Sequence, residues 1–204
     1  MVVADKPDKM TAREAKRLQT RERLLGAATA EFKRTGMAQA DVGAIVAAAG
    51  VAHGTFFFHF PTKEHVLLEV ERREEERIAK QLRKYLRTHQ DVSDALAEAV
   101  RMIMDLERRL GEALFTDFLA LHFSPTRPPL EGGQDHPLIV LVAERIEAAR
   151  ASGEIDDDVI AMNSAVFFLL GLYALLITTH DWPNRPELVD DYLTRTIRGL
   201  RAQH

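Results

Sequence analysis

Eight histidines are the side chains of this 204-residue sequence best suited to proton transfer or metal ligation. His53, His59 and His65 recur at intervals of six, so on a helix they do not stack on one face as i,i+4 metal ligands do. No His-Glu-x-x-His, Gly-x-Ser-x-Gly or Gly-x-x-x-x-Gly-Lys-Ser/Thr run occurs. Gly132-Gly133 has neither a strand pattern before it nor Lys-Ser/Thr after it, and reads as loop rather than phosphate cradle. The absence of Cys excludes thiol catalysis, Cys-zinc sites and disulfides. Carboxylates are plentiful, but nothing in the sequence marks a pair as buried. The chain is therefore not expected to be an enzyme, and no catalytic residue, metal or cofactor is assigned. What remains is the chemistry of recognition. Residues 53–63 combine a Gly, a Thr hydroxyl, imidazoles, exposed-type aromatics and a Lys, the mixture that meets base edges and phosphates.

These groups need a scaffold, and the sequence supplies one. Val42, Ile45, Val46 and Ala49 fall at i, i+3, i+4 and i+7, one apolar face of a short helix. Gly50 ends that helix, since only Gly turns the chain through φ > 0 at no steric cost. Val51 plugs the turn, and a second short helix is expected over residues 52–59. Pro61 stops it, because the residue before Pro is pushed out of the α region. Two short helices across a Gly turn read as a helix-turn-helix. A preceding helix, from about residue 12 or 18 to 34, carries the stripe Leu24, Leu25, Ala28, Phe32 and is capped by Gly36.

Charge follows this division. Net charge is −4 overall, but residues 1–65 carry 10 Lys+Arg against 7 Asp+Glu, while the remainder carries 17 against 24. The basic excess lies with the helix-turn-helix, as phosphate binding requires. Polar residues at the start contain no apolar signal-peptide core, and the expected location is cytoplasmic.

The ordered elements Arg23-Leu-Leu-Gly-Ala-Ala-Thr-Ala-Glu-Phe32, Ala49-Gly-Val51, Gly54-Thr55, His59-Phe60 and Lys63-Glu64 resemble the TetR family of bacterial transcriptional regulators over roughly residues 18–80. The resemblance implies that the second helix lies in the major groove of a double-stranded, palindromic operator. By this similarity His53, Gly54 and Phe57 face base edges, and Thr55, His59 and Lys63 face phosphates. Phe56 and Phe60 are assigned to the core. Three positions depart from the family pattern. Phe57 stands where a phosphate-binding Tyr is common, Ala40 and Ala52 lack the frequent hydroxyl, and Val46 replaces a small residue at the helix crossing.

The expected fold is all-α. Residues 1–17 form a basic, partly disordered arm, 18–65 the helix-turn-helix domain, and 66–204 a helical ligand-binding and dimerisation domain. A long fourth helix from Lys63 to about Thr88 carries a run of Glu and Arg that reads as a solvated face with pairs such as Glu69–Arg73 and Glu76–Lys80. Thr62 is its expected N-cap. Residues 124–137 are the longest loop, a candidate ligand gate. The run 165–177 is apolar all round, but thirteen residues rise only about 20 Å, so a helix buried on two sides, over 157–180, is preferred to a membrane span. Asp156, Asp157 and Asp158 are expected in its first turn. The resemblance implies that the last two helices pair across a two-fold axis, with Val166, Leu170, Leu193 and Ile197 at the homodimer interface. Met102, Leu106, Phe115, Phe118, Leu119, His122, Phe123, Phe168 and Tyr173 are the candidates for a pocket taking an apolar small molecule, with His122 and Tyr173 as its orienting polar groups. A ligand-released repressor is the preferred function. A helical dimer acting only through a protein partner is the alternative, supported by the missing Tyr at Phe57.

Overall fold

The computed structural model describes residues 11–125, 127–128 and 136–201. Among them are nine α-helices, no strand, and one antiparallel bridge between Ile155 and Arg201. α1 (Ala12–Gln39) begins at a reciprocal cap: Thr11 Oγ1 accepts from Glu14 N–H, and Glu14 Oε2 accepts from Thr11 N–H at 2.7 Å. Residues 12–17, expected in the basic arm, are therefore its first turns, while residues 1–10 lie outside the described residues. Gly36, at φ 75°, breaks the helix where a cap was expected.

α2 (Val42–Ala49) is capped by Asp41, whose carboxylate accepts from Gly43 N–H at 2.8 Å. Gly50 takes φ 63°, ψ 44°, the left-handed conformation the turn requires. α3 (His53–His59) then leaves at 95° to α2. Leu24, Ala28, Phe32, Ile45, Phe56 and Phe60 interlock beneath this angle, each at most 1% exposed. Both Phe residues assigned to the core are in it.

α4 (Lys63–Tyr85) is the central strut, packing against α1, α5 (Val92–Leu110), α6 (Glu112–His122) and α7 (Pro137–Ala151). Thr62 stands at its N-cap, but its hydroxyl pairs with Nδ1 of His65 at 3.0 Å and makes no cap bond to the backbone. Asp91 caps α5, its carboxylate accepting from Ser93 N–H at 2.7 Å. Gly111 (φ 77°) separates α5 from α6. Of the proposed gate, residues 126 and 129–135 lie outside the described residues.

α8 (Ala161–Thr178) starts later than expected. Asp156 Oδ1 accepts from Asp158 N–H at 3.0 Å, a local turn that competes with helix and holds the three carboxylates outside it. With 18 residues and a mean hydropathy of 1.9, α8 is long and apolar enough to cross a membrane. Ala165, Phe168, Leu169, Leu172 and Leu176 are buried, and the helix packs against α6, α7 and α9 (Arg185–Leu200). Its outer side is bare: Phe167 is 71% exposed.

Candidate functional site

The first candidate surface is built on α3. The 95° turn and the buried Phe56 and Phe60 fix which way the helix faces, leaving His53, Gly54, Phe57 and Phe58 in solvent and Thr55 and His59 half-buried. His53 and Phe57, one turn apart, place their rings 5.6 Å from each other. Phe58 is the most exposed ring of the helix at 72%. No side-chain cap closes the α3 N-terminus, so its first N–H groups stay available to an acceptor.

The C-terminal end of α3 is locked to α1. Arg21 Nη1 donates to the His59 carbonyl at 2.6 Å, and its guanidinium carbon lies 4.2 Å over the Phe60 ring. Burial, then the charges of Arg21 and Arg17, hold the His59 imidazole below its ordinary pKa. Neutral His59 keeps one N–H for a phosphate but brings no charge. Lys63 is also partly committed, its Nζ donating to the carbonyls of Ala38 at 2.9 Å and Ala40 at 3.3 Å. One of three ammonium donors is left for a phosphate. Two cations of α1 lie beside this surface: Arg17, from the basic stretch of residues 1–17, and Arg21, one turn on, which the sequence reading did not single out.

A second site lies under α4, where sequence reading expected only a solvated charge run. The Glu69–Arg73 pair is present at 2.7 Å, and Arg72, rather than Lys80, pairs with Glu76 at 2.6 Å. Glu71, however, is 3% exposed. Its carboxylate accepts from both Arg127 guanidinium nitrogens, at 2.6 and 3.1 Å, and lies 3.3 Å from Nε2 of His122. Burial pushes the Glu71 carboxyl up despite the guanidinium. Burial and then Arg127 push His122 down to about 4. One turn along, Glu75 meets Nδ1 of His136 at 3.1 Å, and that contact raises His136. Ligand atoms of Glu71, Glu75 and His136 all lie within 4.8 Å of one another. The signal was present in the sequence: Glu71 follows Leu67 by four and precedes Ile78 by seven, in phase with the buried stripe.

The expected pocket residues divide. Phe115 and Phe118 stack at 6.3 Å, Phe118 touches His122, and His122 meets Tyr173 edge-on at 4.8 Å. Through His122 this aromatic chain reaches the Glu71 cluster. Leu106 and Leu119 are ordinary buried neighbours. Met102 instead borders a groove of about 720 Å³ between α4 and α5, beside Arg77, Tyr85 and Arg108. Phe168 stacks on Tyr192 of α9 at 6.1 Å. Phe123 caps α6 and is 49% exposed, because the chain leaves the helix there, so it does not line the interior.

The dimer candidates lie together on the outer side of α8 and α9. Leu170 is 36% exposed, and Val166, Leu193 and Ile197 are half-buried. Phe167 on α8 is a further exposed apolar side chain that was not singled out, while Ile160 and Met162, also exposed, border a groove against α7.

Residues 24–70 match the family described as bacterial regulatory proteins, tetR family. Among curated proteins none matches the chain. Solved structures resemble it along nearly its whole length. The Thermus thermophilus FadR, a TetR-family transcriptional repressor solved with lauroyl-CoA, has a TM-score of 0.73 at 20% identity, over 90% of this chain and 96% of that one. RolR with resorcinol has a TM-score of 0.68 at 19% identity, over 93% and 91%. The Bacillus subtilis FadR with stearoyl-CoA has 0.65 at 15%, over 88% and 99%. At these identities the likeness is one of fold.

Proposed function

The chain belongs, through the helix-turn-helix of residues 24–70, to the tetR family of DNA-binding transcriptional regulators, and from that premise we propose that it is a homodimeric repressor released from a palindromic operator by an apolar small molecule. The carrying observation is the solvent-facing side of α3, with His53, Gly54 and Phe57 held by a buried turn over Phe56 and Phe60. His53, Gly54 and Phe57 are assigned to base edges, and Thr55, His59 and Lys63 to phosphates. Phe57 offers a thymine methyl apolar contact.

Release requires that the ligand prefer a head spacing that does not fit DNA. α4 is the path, since it begins at Lys63 beside α3 and carries Glu71 and Glu75 into the body. Phe115, Phe118, His122 and Tyr173 are the lining favoured for an apolar or aromatic ligand. The fatty acyl-CoA and resorcinol complexes of proteins with this fold support that class. A coupling of about 1–3 kcal/mol would weaken DNA binding roughly 5–150-fold.

The test is a mobility shift against the DNA upstream of the protein's own coding region. Wild type should bind one site specifically, and His53→Ala should change which base is preferred at one position of each half-site. Binding with no sequence preference would favour a protein partner instead. A ligand in the body should move the shift, and Phe118→Trp should demand more ligand for release while leaving ligand-free binding intact.

A further inference from the structure

The contact between His122 and Glu71 is unusual as it stands. Nδ1 of His122 lies 3.1 Å from the Phe118 carbonyl, which can only accept, so the ring's hydrogen is on Nδ1. The lone pair of Nε2 is then aimed at Oε1 of Glu71, 3.3 Å away. Both are acceptors, and the His122 side chain is only 10% exposed. Beside them the Tyr173 hydroxyl, on a residue 7% exposed, makes no hydrogen bond among the described residues. A buried imidazole with its far nitrogen tied to a backbone carbonyl and its near nitrogen facing a carboxylate is the arrangement that orients histidine toward a metal.

We propose that Glu71, Glu75, His136 and Nε2 of His122 bind a divalent first-row transition ion, with Zn²⁺ the best match. Two imidazoles and two carboxylates are a donor set for such ions rather than for Ca²⁺ or Mg²⁺. Ligands about 2.0–2.1 Å from a tetrahedral centre stand roughly 3.3 Å apart. The His122–Glu71 and His136–Glu75 separations are 3.3 and 3.1 Å. Ligand atoms of Glu71, Glu75 and His136 all lie within 4.8 Å of one another, and His122, its ring centroid 6.4 Å from that of His136, joins the set through Glu71. Arg127 occupies Glu71 with its guanidinium and is the ion's internal competitor. A bound ion would join α4, α6 and the start of α7, and of these α4 and α6 pack against α1. The ion site shares His122 with the proposed ligand lining, but its binding test needs neither that ligand nor DNA.

The test uses the full-length protein stripped with chelator and titrated with Zn²⁺ against a chromophoric chelator, and with Co²⁺ read by its visible absorption. Wild type should take one equivalent per protomer and give the intense visible bands of tetrahedral Co²⁺. His136→Gln and Glu75→Gln should each lose at least tenfold in affinity with an unchanged circular dichroism spectrum. His89→Gln, at an exposed histidine, should bind as wild type does. Arg127→Gln should bind more tightly, by about tenfold, because the competitor is gone. Wild type that takes no ion, or His136→Gln and Glu75→Gln that bind as wild type does, would overturn the site. So would an Arg127→Gln protein that loses thermal stability without gaining affinity, since the cluster would then be an internal ion-pair network.

Discussion

Phe57 is 48% exposed on α3 and lacks only a hydroxyl to become the side chain common at this position in the resembled family. Phe57→Tyr should therefore add a phosphate donor without disturbing the buried Phe56 and Phe60. Binding to specific and non-specific DNA should tighten together, by about 1 kcal/mol or roughly fivefold. Unchanged affinity in fluorescence anisotropy would place Phe57 away from the backbone. Lys63 bears on the same surface in a different way. Two of its ammonium donors hold the Ala38 and Ala40 carbonyls, so Lys63→Ala should weaken all DNA sequences alike, reduce the salt slope by about one unit, and also loosen the end of α1. Hydrogen exchange faster than wild type at residues 37–40 is the sign of that second role.

At the scale of elements, two junctions decide how the helices hold each other. Asp117 of α6 accepts from Met37 N–H at 2.5 Å, tying the bend of α1 to the body. Asp117→Ala leaves a partly buried N–H unpaired and should cost about 1–3 kcal/mol in denaturant unfolding, whereas Asp117→Asn, which keeps an acceptor, should cost less. The second junction is α8 on α9. Tyr192 donates to the Phe168 carbonyl at 2.7 Å, and a Cβ on Gly171 would stand 2.5 Å from that hydroxyl. Gly171→Ala gains helix propensity of about 1 kcal/mol, but the clash forces Tyr192 out and breaks its bond. The clash wins, and a net loss of roughly 1–3 kcal/mol is expected. Tyr192→Phe removes the clashing oxygen, so the double mutant should be less destabilised than the two single changes added together.

The whole molecule presents an apolar side that one protomer leaves bare, with Phe167 at 71% and Leu170 at 36% exposure on α8 and half-buried Leu193 and Ile197 on α9. Such a surface is covered at least cost by its own copy across a two-fold axis, and matched heads are what palindromic half-sites need. Leu170→Glu or Phe167→Glu would place an unpaired charge in that contact. Light scattering should show wild type as a dimer and these variants as folded monomers, with operator affinity falling in parallel. A wild-type monomer at micromolar concentration would remove the basis for the two-fold arrangement.

What the sequence determined by itself is local. The all-α fold, the Gly50 turn, the buried Phe56 and Phe60 against exposed Phe57, and the break at Gly36 follow from spacing and from glycine's freedom at positive φ, properties of a few neighbouring residues. Helix ends were less legible where side chains had a choice of partner. Thr62 turned to His65 and Asp156 to its own backbone, because competing hydrogen bonds of similar energy are settled by surroundings. The sequence put Glu71 in phase with the buried stripe of α4, but tertiary structure alone decided which groups cover and pair with it. Glu71 and Glu75 sit in a run of charge that composition assigns to solvent, and only the wrapping of α4 by α1, α5, α6 and α7 turns them inward. Their partners His122, Arg127 and His136 are 51, 56 and 61 residues from the carboxylates they meet. Burial of a charge is a property of what covers it, and no local spacing encodes a cover that arrives from so far along the chain.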